Sequence, residues 1–225
     1  MKQETALIRQ HMRTPRAAAI AGIVFSLLLI TSQFLIWTSI PSNPLAPAAE
    51  VVRHSKTISL ALNLLSFAGI AFLWFIAVVR DRLGEFEDRF FATVILGSGL
   101  LYIAMTFVAA TVAGGIIRVL STGSENLAES GAYALGRVEI NHAMLIYAAK
   151  MAGVFMMSTS TISLKTQIVP RWMALLGYAL ALMLLLSVGT IEWIPLIFPL
   201  WVLLISLYIL MENLRGQPEN ASAVE

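Results

Sequence analysis

Six apolar runs constrain this chain more than any other feature. They cover residues 17–40, 57–79, 90–117, 139–163, 170–188 and 194–211. A helix rising about 1.5 Å per residue crosses a hydrocarbon core of about 30 Å in about 20 residues, so each run has the length of a span. Inside that medium an unpaired backbone N–H or C=O costs several kcal/mol, which leaves the helix as the conformation open to an isolated run. The expected fold is therefore all-α: a polytopic bundle of six transmembrane helices. Only 12% of the 225 residues are charged, against about a quarter in a soluble domain, and 58% are hydrophobic. No soluble module fits between the runs. Residues 1–16 form a polar leading segment, 17–211 the membrane domain, and 212–225 a polar tail expected to be disordered.

Alternate loops differ in basic content. One set carries Lys2, Arg9, Arg13, Arg16, Arg80, Arg82, Arg89, Lys165, Arg171 and Arg215, and the other only Arg53, Lys56, Arg118 and Arg137. The excess of Lys and Arg on cytoplasmic loops then predicts that both termini are cytoplasmic. The first run exceeds the 7–15 residues of a signal peptide, so it is read as an anchor despite Ala46-Pro47-Ala48, which has the look of a cleavage site. Net charge is +2, and no basic stripe interleaves with aromatics, so a nucleic-acid partner is not expected. The chain has no cysteine, which removes disulfides, thiolate nucleophiles and Cys-based metal or iron–sulfur sites.

Lys150 is the costliest residue in the fourth run, since lysine at a span centre carries about 2.5–3.5 kcal/mol on insertion scales. Glu139 lies 11 residues before it, roughly 16 Å along a helix and about 20° round it. His142 falls between them, with Asn141 beside it. One reading makes Lys150 a structural pin or a snorkelling side chain. The other gives it an anionic substrate or headgroup to meet, because no Asp or Glu lies deep in any run to neutralise it. Asn63, in the second run, is the expected neighbour of Lys150, with Ser158 to Thr161 as further polar contacts. A retinal Schiff base is rejected for want of a seventh span and a deep carboxylate.

His54 and His142 each have a glutamate at helical spacing, Glu50 four residues before one and Glu139 three before the other. Two such pairs match the donor set of a divalent metal site, and two histidines can hold a haem. The simpler reading is polar residues at water-facing helix ends. Met144, Met151, Met156 and Met157 are taken as gap-filling core. Gly97 with Gly99, Gly114 with Gly115, and Ala149 with Gly153 have the spacing of close helix contacts. Pro195 and Pro199 are expected to kink the sixth run.

The stretch from Ile168 to Gly177, containing Pro170-Arg171-Trp172, resembles a pattern in small six-span bacterial inner-membrane proteins of unassigned function. Leu73 to Asp81 has the same character. The resemblance implies a bacterial inner-membrane location and no activity.

The function expected from these residues is binding or transport of a small or amphipathic, anionic ligand. Its site would be a polar cavity lined by the second, fourth and sixth runs. Lys150 is its charge contact, Asn63 and Ser158 its polar neighbours, and His142 with Glu139 its outer vestibule. The alternatives are a structural or regulatory membrane subunit, and an intramembrane metal or haem enzyme using Glu50, His54, Glu139 and His142. Expected partners are membrane lipids, a lipid-like ligand and a second copy of the chain.

Overall fold

In the computed structural model the backbone is described for residues 2–40, 48–84, 89–122, 131–167, 169–189 and 193–215, and side chains for 17–40, 51–79, 90–122, 131–167, 169–189 and 193–214. The chain is all-helical, and no strand occurs among the described residues. We label the helices α1 (Lys2–Ser39), α2 (Ala48–Arg53), α3 (Ser55–Gly84), α4 (Arg89–Ser121), α5 (Gly131–Asn141), α6 (Ala149–Thr166), α7 (Arg171–Leu186) and α8 (Ile197–Arg215). A π-helical segment, His142–Ala148, joins α5 to α6 without a break, and a 3₁₀ turn, Ile194–Leu196, leads into α8.

Five helices are long and apolar enough to cross a membrane: Ala17–Ser39, Ser55–Val79, Phe90–Ser121, Gly131–Thr166 and Ile194–Leu214. The fifth expected run gives a shorter apolar helix, α7, of 16 residues. It is delimited by residues with defined backbone roles. Gln167 takes the left-handed conformation (φ 54°) that ends α6, its N–H donating to the Ser163 carbonyl, and Pro170 precedes α7 with extended backbone. Both prolines of the last run lie at its start. Pro195 lies in the 3₁₀ turn and Pro199 is the third residue of α8. In the first turn of a helix a missing N–H leaves no hydrogen bond unmade, so neither proline removes a bond from the span's interior.

Successive long helices alternate in direction. Phe25 stacks on Phe72 while Ser32 reaches Ala61, so α1 and α3 run antiparallel; close approaches of Gly136 to Ile116 and of Gly99 to Phe155 give the same relation for α4 and α5–α6. The start of α1 and the end of α8 therefore lie at one end of the bundle. In cross-section α8 packs on α1, α1 on α3, α3 on α4, α4 on α5–α6, and α6 on α7.

Six rings fill the middle: Phe25, Phe72, Phe75, Tyr102, Phe155 and Phe198. Phe72 is fully buried and meets each of the other five, with centroids 4.5–5.9 Å apart. Rings in this range attract through edge-to-face and offset geometry beyond their packing area.

Small residues bring the helices together at two crossings. A Cβ on Gly22 would collide with Ser206 Oγ across α1 and α8, and one on Gly177 with Ser160 Oγ across α7 and α6. Both hydroxyls are buried without a hydrogen-bond acceptor. Each rests on the Cα face of a glycine, the setting for a weak Cα–H···O contact. Trp201 Nε1, also unpartnered, approaches the same Gly177 position at 2.9 Å. Of the pairs expected to pack, Gly99 and Gly153 do, whereas a Cβ on Gly97 would meet nothing within 4 Å. Met156 is buried in the core, as the gap-filling reading expects.

Ser32 Oγ donates to the Ala61 carbonyl at 2.8 Å, a buried bond between α1 and α3. Ser32→Ala should lower stability by about 1 kcal/mol, the scale of interhelical hydrogen bonds in bilayers, as read from unfolding in mixed micelles. No loss would mean that the carbonyl is satisfied within its own helix.

Candidate functional site

Where the second, fourth and sixth runs converge, the described residues bring aromatic rings together. That junction is closed by Phe72, Phe155 and Phe198, with centroids 5.4–5.6 Å apart. Asn63 is exposed on the outward face of α3, two residues from buried Ala61 and Leu65, and its amide donates to the Ser59 carbonyl at 2.8 Å. It does not face Lys150. Ser158 is buried in α6.

Lys150 is half-buried, with no hydrogen bond or ion pair among the described residues. It lies near the middle of the apolar helix Gly131–Thr166. Gly189, with φ 79°, tucks the connection after α7 against the long helix, and its Cβ position falls 3.0 Å from Ile146 and 3.7 Å from Leu145. Lys150 is one helical turn past that level, toward Phe155. Glu139 and His142 are exposed on its other side, because α5 and the π segment continue past the α7–α8 connection.

His54 is exposed where α2 meets α3, and His142 opens the π segment beyond α4. Among the described residues no group of three or more His, Cys, Asp or Glu side chains could hold a metal ion; the Glu50 side chain lies outside them. The hairpin carboxylates Glu85, Glu87 and Asp88 also fall outside the described residues.

A cleft does form, at the end of the bundle opposite the two termini. It has a volume of about 610 Å³ and lies between the first two turns of α3 and the last two of α4. Ser55, Lys56, Ser59, Gly114, Ile117, Arg118, Ser121 and Thr122 line it. Its floor is a small apolar core of Val51, Ile58 and Ile117, through which α2 is pinned to the two long helices. Lys56 and Arg118 are exposed, and neither has an ion-pair partner among the described residues. Ser121 Oγ donates to the Ile117 carbonyl and Thr122 Oγ1 to Val119, which leaves their lone pairs free to accept and their hydroxyls able to swing outward. The cleft also lies at the start of α3, the positive end of that helix's dipole. Two cations, four hydroxyls and a helix start suit an oxyanion, and the volume falls within the 300–1,000 Å³ of small-molecule sites.

By sequence alone Lys56 and Arg118 read only as loop charges. The available signal was their company: serines at 55 and 59 around one, and a serine and threonine at 121 and 122 after the other, on consecutive antiparallel runs. Trp37, Trp172 and Trp193 are exposed near helix ends, the usual depth of interfacial aromatics.

Comparison of the chain with known proteins finds no matching family model, no matching curated protein and no matching solved structure.

Proposed function

We propose that this is a six-span membrane protein, with both termini cytoplasmic, that binds an anionic, amphipathic ligand at its outer end. The observation that carries this reading is the cleft, where Lys56 and Arg118 stand with four hydroxyls between α3 and α4. The 25-residue apolar stretch Ser55–Val79 is roughly 37 Å long, so a helix centred in a core of about 30 Å brings Ser55–Ser59 to headgroup depth. There a ligand can present charge to the cations while its apolar part stays in the bilayer. The basic-residue count places that end outside. A closed aromatic centre favours binding at the bundle's edge over passage through its middle. The bacterial inner-membrane location rests on the resemblance above, and α7 serves as the sixth span.

The test is binding of anionic and zwitterionic lipids by the purified full chain in neutral detergent. Replacing both Lys56 and Arg118 with methionine should weaken anionic-lipid binding at least about 100-fold, since each charge-assisted contact carries about 1.5–3 kcal/mol. Thermal stability should hold, because both side chains are exposed. Lys150→Met should leave binding unchanged. Loss on Lys150→Met with retention in the double variant would move the ligand to the fourth run.

A further inference from the structure

We infer that the ligand of this cleft is a lipid with a phosphomonoester headgroup that enters sideways from the outer leaflet, its tail lying in the α3–α4 groove below Arg118. The inference rests on the anionic-ligand reading above and adds the headgroup class and the route.

Three observations point this way. The first is that the cleft does not end at its lining. On α3, Ser55, Ser59, Asn63 and Ser66 recur at spacings of four, four and three, an arc of about 80° that descends roughly 16 Å. The last three of these are exposed, so the row faces out of the bundle. On that face Asn63 and Ser66 donate to the Ser59 and Leu62 carbonyls, and their remaining lone pairs and the second Asn63 N–H suit the glycerol and ester region of a lipid better than acyl chains alone.

The second is that the groove beneath the charges is held open by missing side chains. Gly115 lies on the same stripe of α4 as Arg118 and Thr122, one turn nearer the membrane centre, and a Cβ there would meet nothing within 4 Å. Gly114, in the cleft wall, would meet only Leu62, at 3.6 Å. One turn further down, Thr111 is exposed and keeps its hydroxyl on the Phe107 carbonyl. Exposed Leu60, Phe67 and Val108 border this strip and supply apolar contact for a chain.

The third is charge. A phosphate brings up to two negative charges and three or four acceptor oxygens, which matches one guanidinium, one ammonium and the hydroxyl rim more fully than a carboxylate would. The planar fork of Arg118 binds two oxygens side by side, and Lys56 acts as a point charge from the facing helix.

The experiment is native mass spectrometry of the detergent-solubilised full chain with three probes: phosphatidic acid, phosphatidylcholine and water-soluble glycerol 3-phosphate. Wild-type protein should retain phosphatidic acid over both others. Gly115→Leu fills the groove and should weaken phosphatidic acid about tenfold, the scale of inserting a side chain into an occupied site. Gly97→Leu is the control. It also projects into open space, on the same helix, 18 residues from Gly115, and should bind as wild type. Either of two results would overturn the inference while leaving the ligand reading intact. One is phosphatidic acid binding undiminished by Gly115→Leu; the other is glycerol 3-phosphate bound as tightly as the lipid. If the Lys56 and Arg118 double variant retains phosphatidic acid, the ligand reading fails with it.

Discussion

Replacing Phe72 with alanine is expected to cost the folded bundle about 2–3 kcal/mol. In a membrane the side chain leaves apolar surroundings in both folded and dissociated states, so the water-to-oil contribution that dominates in soluble proteins largely drops out. What remains is the hole. Removing a phenyl group leaves roughly 100 Å³, and cavities cost about 24 cal/mol per Å³ where neighbours relax only in part. Relaxation should be small here, because Phe72 contacts rings on α1, α4, α6 and α8 and on its own helix, and none can move in without leaving another. Denaturant titration in mixed micelles measures the loss. A shift below about 1 kcal/mol would show that the rings repack and that Phe72 is not their hub.

Gly177→Leu should be at least as damaging, by the opposite route. The added Cβ alone collides with Ser160 Oγ and comes to 2.9 Å from Trp201 Nε1, so α6, α7 and α8 cannot keep their separation. Overpacking typically costs 1–3 kcal/mol and more where the obstruction is rigid. Ser160 can rotate its hydroxyl, but the Trp201 indole is 2% exposed and fixed in the core. A paired substitution separates strain from simple bulk: Gly177→Ala with Ser160→Gly should recover most of the loss that Gly177→Ala shows alone. If the pair adds no recovery in the same titration, Ser160 is not the obstruction.

The spans were legible in the sequence because a bilayer demands runs of a fixed length, and 17–40 and 57–79 meet that demand on composition alone. Faces were not. On α3 the core side carries Ile58, Ala61, Leu65, Phe72 and Phe75, while the outward side carries Leu60, Phe67 and Trp74. Both sides are apolar, since lipid and protein interior are alike to a side chain, so no pattern says which way Asn63 points. The reach of the fourth run was hidden for a different reason. Glu139 reads as its start, yet the helix is already formed at Gly131 and the α7–α8 connection packs at Ile146. That contact is between residues 43 positions apart (189 − 146), which no local spacing reveals. The same limit hid the cleft, whose charges lie on different helices.

The brevity of α7 has a consequence for the surrounding lipid. Sixteen residues give a rod of roughly 24 Å, about 6 Å short of an average hydrocarbon core. On the six-span reading proposed above, acyl chains on that flank shorten or tilt to meet α7, at a fraction of a kcal/mol per Å of mismatch, while the flank formed by α3 and α4 suits full-length chains. A protein thin on one side and tall on the other deforms its annulus unevenly. It is expected to partition into thinner bilayers and to present its short flank to neighbours that relieve the same strain.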